Sequence, residues 1–154
     1  MPYNLRYYKL PYFLDSKFTN RLLEKGMKLK HEEWADHYSS KSNRKTGLYT
    51  YDLHMTFCGA KCSLVMFPPH GGVDFHTDGS RNTALSYPLS EDYAPCVFED
   101  GEKIDSPMLL NTQVKHAVRN NGKQRISLNI SFQQDIGECV KIFEQLKEYE
   151  FKTS

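Results

Sequence analysis

The alternation of apolar and polar residues divides the chain into a helical segment, a long β-rich middle and a closing helix. From Ser16 to Lys28, large apolar residues recur at helical spacing and are expected to face the core. These residues are Phe18, Leu22, Leu23 and Met27. Asp15 stands directly before the segment and predicts an N-cap. An edge strand is predicted earlier, within the aromatic and basic stretch of residues 4–13.

Short β-type runs follow this helix and are separated by turn signals. The runs cover residues 48–53, 62–67, 83–89, 96–99, 108–110, 114–119 and 124–132. Turns are predicted at residues 68–72, 99–102 and 120–123, and the last of these, Asn-Asn-Gly-Lys, is a strong hairpin signal. The polar segment 39–47 predicts a loop and is our candidate for a lid.

A second amphipathic helix is predicted over residues 136–151. Val140, Phe143, Leu146 and Tyr149 are expected on its buried side. A helix, many short strands and a final helix, without βαβ alternation, predict an antiparallel sandwich or barrel flanked by helices. The length of 154 residues suits a single domain, residues 1–154.

Composition restricts the class of function. The chain is 39% apolar and has a net charge of +1, from 20 basic and 19 acidic residues that are well mixed. This balance argues against a large nucleic-acid footprint, and no apolar run reaches the length of a membrane span. We expect no signal peptide at the start of the chain, a cytoplasmic location and four reduced cysteines.

Three side chains with metal-binding chemistry occur in an order that suits one site. His76 and Asp78 are two residues apart, so on an extended backbone both point to the same face. His116 lies in a later β-type run. Two imidazoles and one carboxylate are the ligand set of the facial triad that holds non-haem Fe(II). The sequence therefore predicts a metal site at His76, Asp78 and His116.

Arg125 follows the last histidine at a spacing that a β-hairpin can fold back. A guanidinium beside the metal can hold a small dicarboxylate through its two-pronged geometry. Ser127 and Asn129 alternate with Arg125 on one face of the run, and Ile126, Leu128 and Ile130 occupy the other. Polar side chains on a buried face of a sheet need hydrogen-bond partners, which favours a bound ligand there.

Together these motifs resemble the Fe(II)/2-oxoglutarate-dependent oxygenase superfamily, and its prolyl-4-hydroxylase-like branch in particular. MFPPHGGVDFHTDGSRNTALSYPL resembles the strand, Pro/Gly loop and HxD motif of that branch, and NTQVKHAVRNNGKQRISLNISF resembles its terminal hairpin. The resemblance covers residues 61–132, roughly half of the chain. It implies a mainly β fold with flanking helices, a double-stranded β-helix (jelly roll) of antiparallel strands.

The resemblance also implies a chemistry. His76, Asp78 and His116 would hold Fe(II) as the catalytic centre, and Arg125 would pair with the 5-carboxylate of 2-oxoglutarate, assisted by Ser127. The other reactant would be O2, with ascorbate in a supporting role. The products would be succinate, CO2 and a hydroxylated substrate.

Two further cosubstrate contacts are predicted. Asn129 faces the cosubstrate side by alternation. Phe67 stands where related enzymes often present a cosubstrate-binding tyrosine, so Tyr87 is our candidate for that role, with Tyr49 and Tyr51 as alternatives.

The resemblance implies hydroxylation of an amino-acid side chain, first in a protein or peptide, with proline as a candidate. Nucleic-acid demethylases of the superfamily carry a second arginine where this chain has Ser131, which argues against a nucleic-acid substrate. A free amino acid or small metabolite is the alternative substrate. A non-catalytic metal-binding jelly roll and a cupin-type dioxygenase are the alternative classes. Arg81 is left between a substrate or cosubstrate contact and a surface ion pair.

Overall fold

Helix α1 spans Ser16–Lys28 in a computed structural model that describes residues 5–39, 42–146 and 151–153. Asp15 caps it as predicted, because its side chain accepts a hydrogen bond from the backbone N–H of Lys17. Leu22 is buried, but Met27 is 65% exposed, so the predicted core contact of Met27 is wrong. Gly26 lies on the buried side instead, where an added Cβ would come within 3.3 Å of Ile126. The missing side chain thus lets the helix lie close to the sheet.

Twelve strands and a second helix follow or flank α1 in the described part of the chain. The strands are β1 (Tyr7–Lys9), β2 (Ala35–Tyr38), β3 (Lys45–Phe57), β4 (Ala60–Phe67), β5 (Gly72–His76), β6 (Thr83–Pro88), β7 (Cys96–Phe98), β8 (Lys103–Ile104), β9 (Met108–Asn111), β10 (His116–Arg119), β11 (Arg125–Phe132) and β12 (Phe151–Thr153). Helix α2 spans Ile136–Gln145, and a short 3-10 helix occupies His31–Glu33. No helix among the described residues is long and apolar enough to cross a membrane.

The strands form two antiparallel sheets. The larger has the order β1-β9-β6-β11-β4-β3-β12, with β2 also paired to β3, and the smaller has the order β5-β10-β7-β8. Neighbours in these orders are mostly distant along the chain, as a double-stranded β-helix requires. The predicted mainly β fold of antiparallel strands with flanking helices is therefore confirmed.

The main core lies between the helices and one face of the larger sheet. Its central side chains, Leu64, Leu85 and Leu128, are completely buried, and α2 adds Val140 and Phe143 as predicted. The opposite face of this sheet looks toward the smaller sheet, where Val65 and Phe67 pack against Val118. The helices thus close one side of the larger sheet and leave the other side for the space between the sheets.

The end of the chain and the predicted loop differ from expectation. The helix predicted over residues 136–151 ends at Gln145, and Phe151 lies in a strand that pairs with Phe57. Tyr149 lies outside the described residues, as do residues 40 and 41 of the predicted loop. Lys45 already belongs to β3, so the loop is shorter than the predicted 39–47. Strands β2, β5 and β8 were not predicted. The hairpin predicted between His116 and Arg125 is wrong, because β10 pairs with β5 and β7 in the smaller sheet, whereas β11 pairs with β4 and β6 in the larger one.

Candidate metal centre and its cavity

The smaller sheet places the two histidines side by side. His76 ends β5 and His116 begins β10, and the two residues are direct partners in the antiparallel register. Their ring centroids are 4.3 Å apart. Gly72 makes this pairing possible, because a Cβ at that position would collide with the backbone carbonyl oxygen of Val118. The glycine at the end of the Pro/Gly loop thus allows β5, which carries His76, to lie close to β10.

Asp78 completes the cluster from the turn after β5. Its backbone N–H donates to the carbonyl oxygen of Thr112 at 2.9 Å, which fixes this segment against the connection between β9 and β10. Its Oδ1 lies 3.3 Å from Nε2 of His76 and 3.5 Å from Nε2 of His116. The ligand atoms of the three residues all lie within 4.8 Å of one another. The structure therefore brings together the three residues predicted to bind the metal.

Both imidazoles are oriented by main-chain oxygens. Nδ1 of His76 is 2.7 Å from the carbonyl oxygen of Asp74, and Nδ1 of His116 is 2.8 Å from that of Val114. A carbonyl only accepts, so each Nδ1 carries the hydrogen, and in the neutral ring each Nε2 presents its lone pair. Two lone pairs and a carboxylate oxygen then face one point. Such an arrangement requires a cation, either a proton or a metal ion, and outer partners of this kind are usual for metal-binding histidines.

The electrostatics of the cluster agree with this requirement. Burial alone would raise the pKa of the Asp78 carboxyl, but hydrogen bonds with His116 and His76 and the nearby charge of Arg81 hold it well below its usual range. Burial lowers the pKa of His76, yet its bonds to Asp78 and to the Asp74 carbonyl outweigh burial and raise that pKa overall. Asp78 is therefore an anion that attracts a positive charge to the histidines.

Arg125 lies at the start of β11, inside the space between the sheets. Arg125 is only 5% exposed, and its Nε donates to the carbonyl oxygen of Ala94 at 2.7 Å. The guanidinium carbon lies 3.9 Å from the centre of the Tyr93 ring. Within the described residues, no carboxylate lies within 4 Å of this guanidinium. Buried charges are usually paired, so this guanidinium is available to an anion that enters the cavity.

One cavity of about 800 Å³ joins the metal cluster to Arg125. Ser127 and Asn129 line it, as their alternation with Arg125 predicts, and the Ser127 hydroxyl donates to Oδ1 of Asn129 at 2.9 Å. The cavity also reaches Lys61, Gln133 and Gln134, at the opposite end of β11. Cys96 lines it as well, but burial raises the pKa of this thiol to about 11, which leaves it protonated and a poor ligand.

Tyr87 does not face this cavity, and the structure corrects its proposed role. In the pairing of β6 with β11, Tyr87 is opposite Leu128, so its side chain enters the core beneath the helices, where it is 2% exposed. Its hydroxyl accepts a hydrogen bond from the backbone N–H of Leu14. The alternatives Tyr49 and Tyr51 pack against the same core, near the rings of His31 and Trp34. None of the three is placed to contact a ligand beside Arg125.

Two aromatic residues near the site were missed in the sequence. Tyr93 stacks on Arg125, and its hydroxyl is buried without a hydrogen-bond partner in the described structure. It lies in an irregular turn, where periodicity gives no signal. His37 lines the cavity from β2, and its Nδ1 lies 2.9 Å from Oγ1 of Thr46 on β3. Burial, followed by the charge of Arg81, lowers the pKa of His37, which favours a neutral ring.

Comparisons with known proteins address the fold. Neither a protein-family model nor a curated protein matches the sequence. Among solved structures, a Pseudomonas putida prolyl-4-hydroxylase superposes with a TM-score of 0.63 at 15% identity, covering 86% of this chain and 95% of that chain. A Trichoplax adhaerens prolyl hydroxylase, in complex with a peptide from the oxygen degradation domain of hypoxia inducible factor, has a TM-score of 0.66 at 11% identity, covering 94% and 90%.

A third similar structure is the viral collagen prolyl hydroxylase of Paramecium bursaria Chlorella virus-1, in its 2-oxoglutarate complex. It has a TM-score of 0.56 at 13% identity and covers 83% of this chain and 95% of that chain. The fold is that of the prolyl hydroxylases. The likeness spans most of both chains in all three comparisons, so it concerns the whole fold and not a single motif.

Proposed function

We propose that this protein is an Fe(II)/2-oxoglutarate-dependent dioxygenase that hydroxylates an amino-acid side chain in a protein or peptide. The observation that carries the proposal is the orientation of the two histidines. Each Nδ1 is tied to a main-chain carbonyl, and each Nε2 faces the Asp78 carboxylate. This donor set matches the facial triad that binds non-haem Fe(II) and leaves metal positions open.

Iron bound at His76, Asp78 and His116 would supply the oxidation of the substrate by O2, coupled to conversion of 2-oxoglutarate to succinate and CO2. The protein's contribution is positioning. The two carbonyl contacts hold both rings in the tautomer that a metal needs, so little reorganisation accompanies binding.

Arg125 supports 2-oxoglutarate as the cosubstrate. Its buried guanidinium lacks an acidic partner in the described structure and opens into the same cavity as the metal cluster. A dicarboxylate supplies one anionic group for this charge and a second for the metal. Ser127 and Asn129 extend the polar wall beside it, and their contact fixes the direction of the Asn129 amide.

The extent of the cavity supports a substrate larger than a metabolite. Arg125 and Ser131 stand six residues apart on β11, a distance of about 20 Å along an extended strand. A five-carbon diacid beside Arg125 fills only part of that length. The remainder, near Lys61 and Gln133, leaves room for a residue presented by a longer chain. The Trichoplax adhaerens neighbour was solved with a peptide, which supports the same class of substrate.

Anaerobic titration with Fe(II) and then 2-oxoglutarate tests the proposal. We expect the weak visible charge-transfer band of the cosubstrate chelated to iron. Asp78→Ala should keep the fold, measured by circular dichroism, and lose metal affinity by more than about 100-fold, beyond the effect usual for outer partners. Succinate release in air with candidate peptides then identifies the substrate. Wild-type protein that binds Fe(II) but never gives the band would instead support a non-catalytic metal-binding module.

A further inference from the structure

Arg81 holds the metal-binding carboxylate from the side opposite the histidines. Its Nε donates to Oδ2 of Asp78 at 2.8 Å. The other carboxylate oxygen, Oδ1, is the one that faces both imidazoles. Oδ2 of Asp78 therefore binds the Arg81 guanidinium, and Oδ1 faces the metal position. The exposed fraction is 21% for the Arg81 side chain and 13% for that of Asp78, so water competes weakly for this pair.

The far end of the Arg81 guanidinium is anchored as well. Its Nη1 donates to the Ser131 hydroxyl at 3.1 Å, so the side chain spans from the metal turn to the end of β11. The backbone of Arg81 is fixed too, because its carbonyl oxygen accepts from Oγ1 of Thr112 at 2.6 Å and from Nε2 of Gln113 at 3.0 Å. Held at both ends, the guanidinium cannot follow a carboxylate that rotates. Asp78 is thus kept in one orientation.

This orientation has a consequence for the number of ligands. A free carboxylate can bind a metal through one oxygen or through both. If both oxygens of Asp78 bound the metal, the protein would fill four positions, and a cosubstrate that chelates through two atoms would leave too few for O2. The hydrogen bond to Arg81 withdraws Oδ2 from the metal.

We propose that Arg81 is a positioning residue that restricts Asp78 to ligation through one oxygen and so keeps enough coordination positions open for both the cosubstrate and O2. This inference rests on the proposed function for the identity of the cosubstrate, but its first test uses metal alone. It also replaces the sequence-based interpretation of Arg81 as a surface ion pair, since the side chain is 21% exposed and contacts the metal-binding carboxylate.

The experiment compares Arg81→Gln, Arg81→Lys and the control Arg119→Gln in the full chain. Arg119 also pairs with an aspartate, Asp74, but its side chain is 68% exposed, so the control removes the same charge from the protein surface. Bound Co(II) is the probe, because its visible spectrum changes when a second carboxylate oxygen replaces a water ligand. We expect Arg81→Gln to change this spectrum, Arg81→Lys to lie between that variant and wild type, and Arg119→Gln to match wild type.

The second measurement is the affinity of the metal-loaded protein for 2-oxoglutarate. We expect Arg81→Gln to raise the Kd about tenfold, the size typical of losing an outer partner of a metal ligand. A Co(II) spectrum and a Kd equal to those of wild type would overturn the proposal. Loss of all Co(II) binding in both Arg81 variants with the fold intact would overturn it too, because Arg81 would then be required for ligation itself.

Two further arms keep the test decisive. If Arg81→Gln does not fold, Ser131→Ala carries the comparison, since it frees only the far end of the guanidinium. A changed Co(II) spectrum in Ser131→Ala supports the proposal, and an unchanged one overturns it. Wild-type protein that fails to bind 2-oxoglutarate would contradict the proposed function, while the Co(II) spectra would still decide the role of Arg81.

Discussion

The two faces of strand β11 differ in polarity and in surroundings: one is apolar and lies in the core, and the other is polar and lines the cavity. One face carries Ile126, Leu128, Ile130 and Phe132, and the other carries Arg125, Ser127, Asn129 and Ser131. Each residue of the first set is at most 1% exposed and packs in the core beneath the helices. Those of the second set line the cavity with the metal cluster. Strand alternation thus separates the residues that stabilise the fold from those available to a ligand.

Leu128→Ala is expected to have the largest effect, and only on stability. Leu128 is completely buried at the centre of the core, so its truncation should lower the free energy of unfolding by about 2–5 kcal/mol. Denaturant unfolding measures this change. The Kd of the folded variant for 2-oxoglutarate should stay within about twofold of wild type, since the altered side chain faces away from the cavity. A larger change in affinity would show that the two faces are coupled.

Arg125→Ala should have the opposite profile. Loss of a buried, two-pronged contact with a carboxylate should weaken 2-oxoglutarate binding about 100-fold, or about 2.7 kcal/mol. Arg125→Lys keeps the charge but not the planar geometry, so a loss of about tenfold is expected. Titration of the metal-loaded protein under anaerobic conditions measures both. Wild-type affinity in Arg125→Ala would remove the anion-binding role.

The same alternation explains what could be predicted from sequence. In β11, polar and apolar residues strictly alternate, so both faces were predicted correctly from one strand alone. The HxD spacing is also local, and it placed His76 and Asp78 at one site as predicted. The hairpin predicted between His116 and Arg125 is wrong, because β10 pairs with β5 and β7 while β11 pairs with β4 and β6. His116 reaches the site through its pairing with His76 instead. The prediction that Phe151 lies in the second helix was wrong for the opposite reason, because its structure depends on a distant segment. It continues the helical spacing of α2, but its pairing with Phe57 depends on a strand nearly a hundred residues earlier.

Tyr87 shows why the cosubstrate tyrosine was misplaced. Its direction depends on which residue of β11 lies opposite, and the pairing with Leu128 sends it to the core. A shift of one residue would send it to the cavity, and nothing in the segment itself specifies that register. Ser86, its neighbour, lines the cavity instead. Tyr93 was missed because its contact with Arg125 arises from a turn without periodicity.

Ser127→Ala should have an intermediate effect on the cavity face. The Ser127 hydroxyl donates to Asn129 Oδ1, and both side chains line the cavity. Its loss should weaken 2-oxoglutarate binding about fivefold, the equivalent of one hydrogen bond of about 1 kcal/mol. A double-mutant cycle with Asn129→Ala checks the contact. Fully additive losses would mean that the two residues act independently.

Tyr87→Phe is expected to have the smallest effect. It removes the acceptor for the Leu14 N–H and should lower the free energy of unfolding by no more than about 1 kcal/mol. Cosubstrate affinity should be unchanged, because the hydroxyl lies on the helix side of the sheet. Denaturant unfolding and cosubstrate titration on the same sample give both values. Weaker cosubstrate binding in this variant would support the original prediction that Tyr87 contacts 2-oxoglutarate.

The carbonyl groups that steer the two imidazoles come from the residues two positions upstream, Asp74 and Val114. Every amino acid brings the same oxygen to such a place. Substitutions at positions 74 and 114 therefore keep the two carbonyl oxygens that orient the imidazole rings. In distant homologues, these two main-chain contacts will leave no trace in an alignment, and only a three-dimensional comparison will recover them.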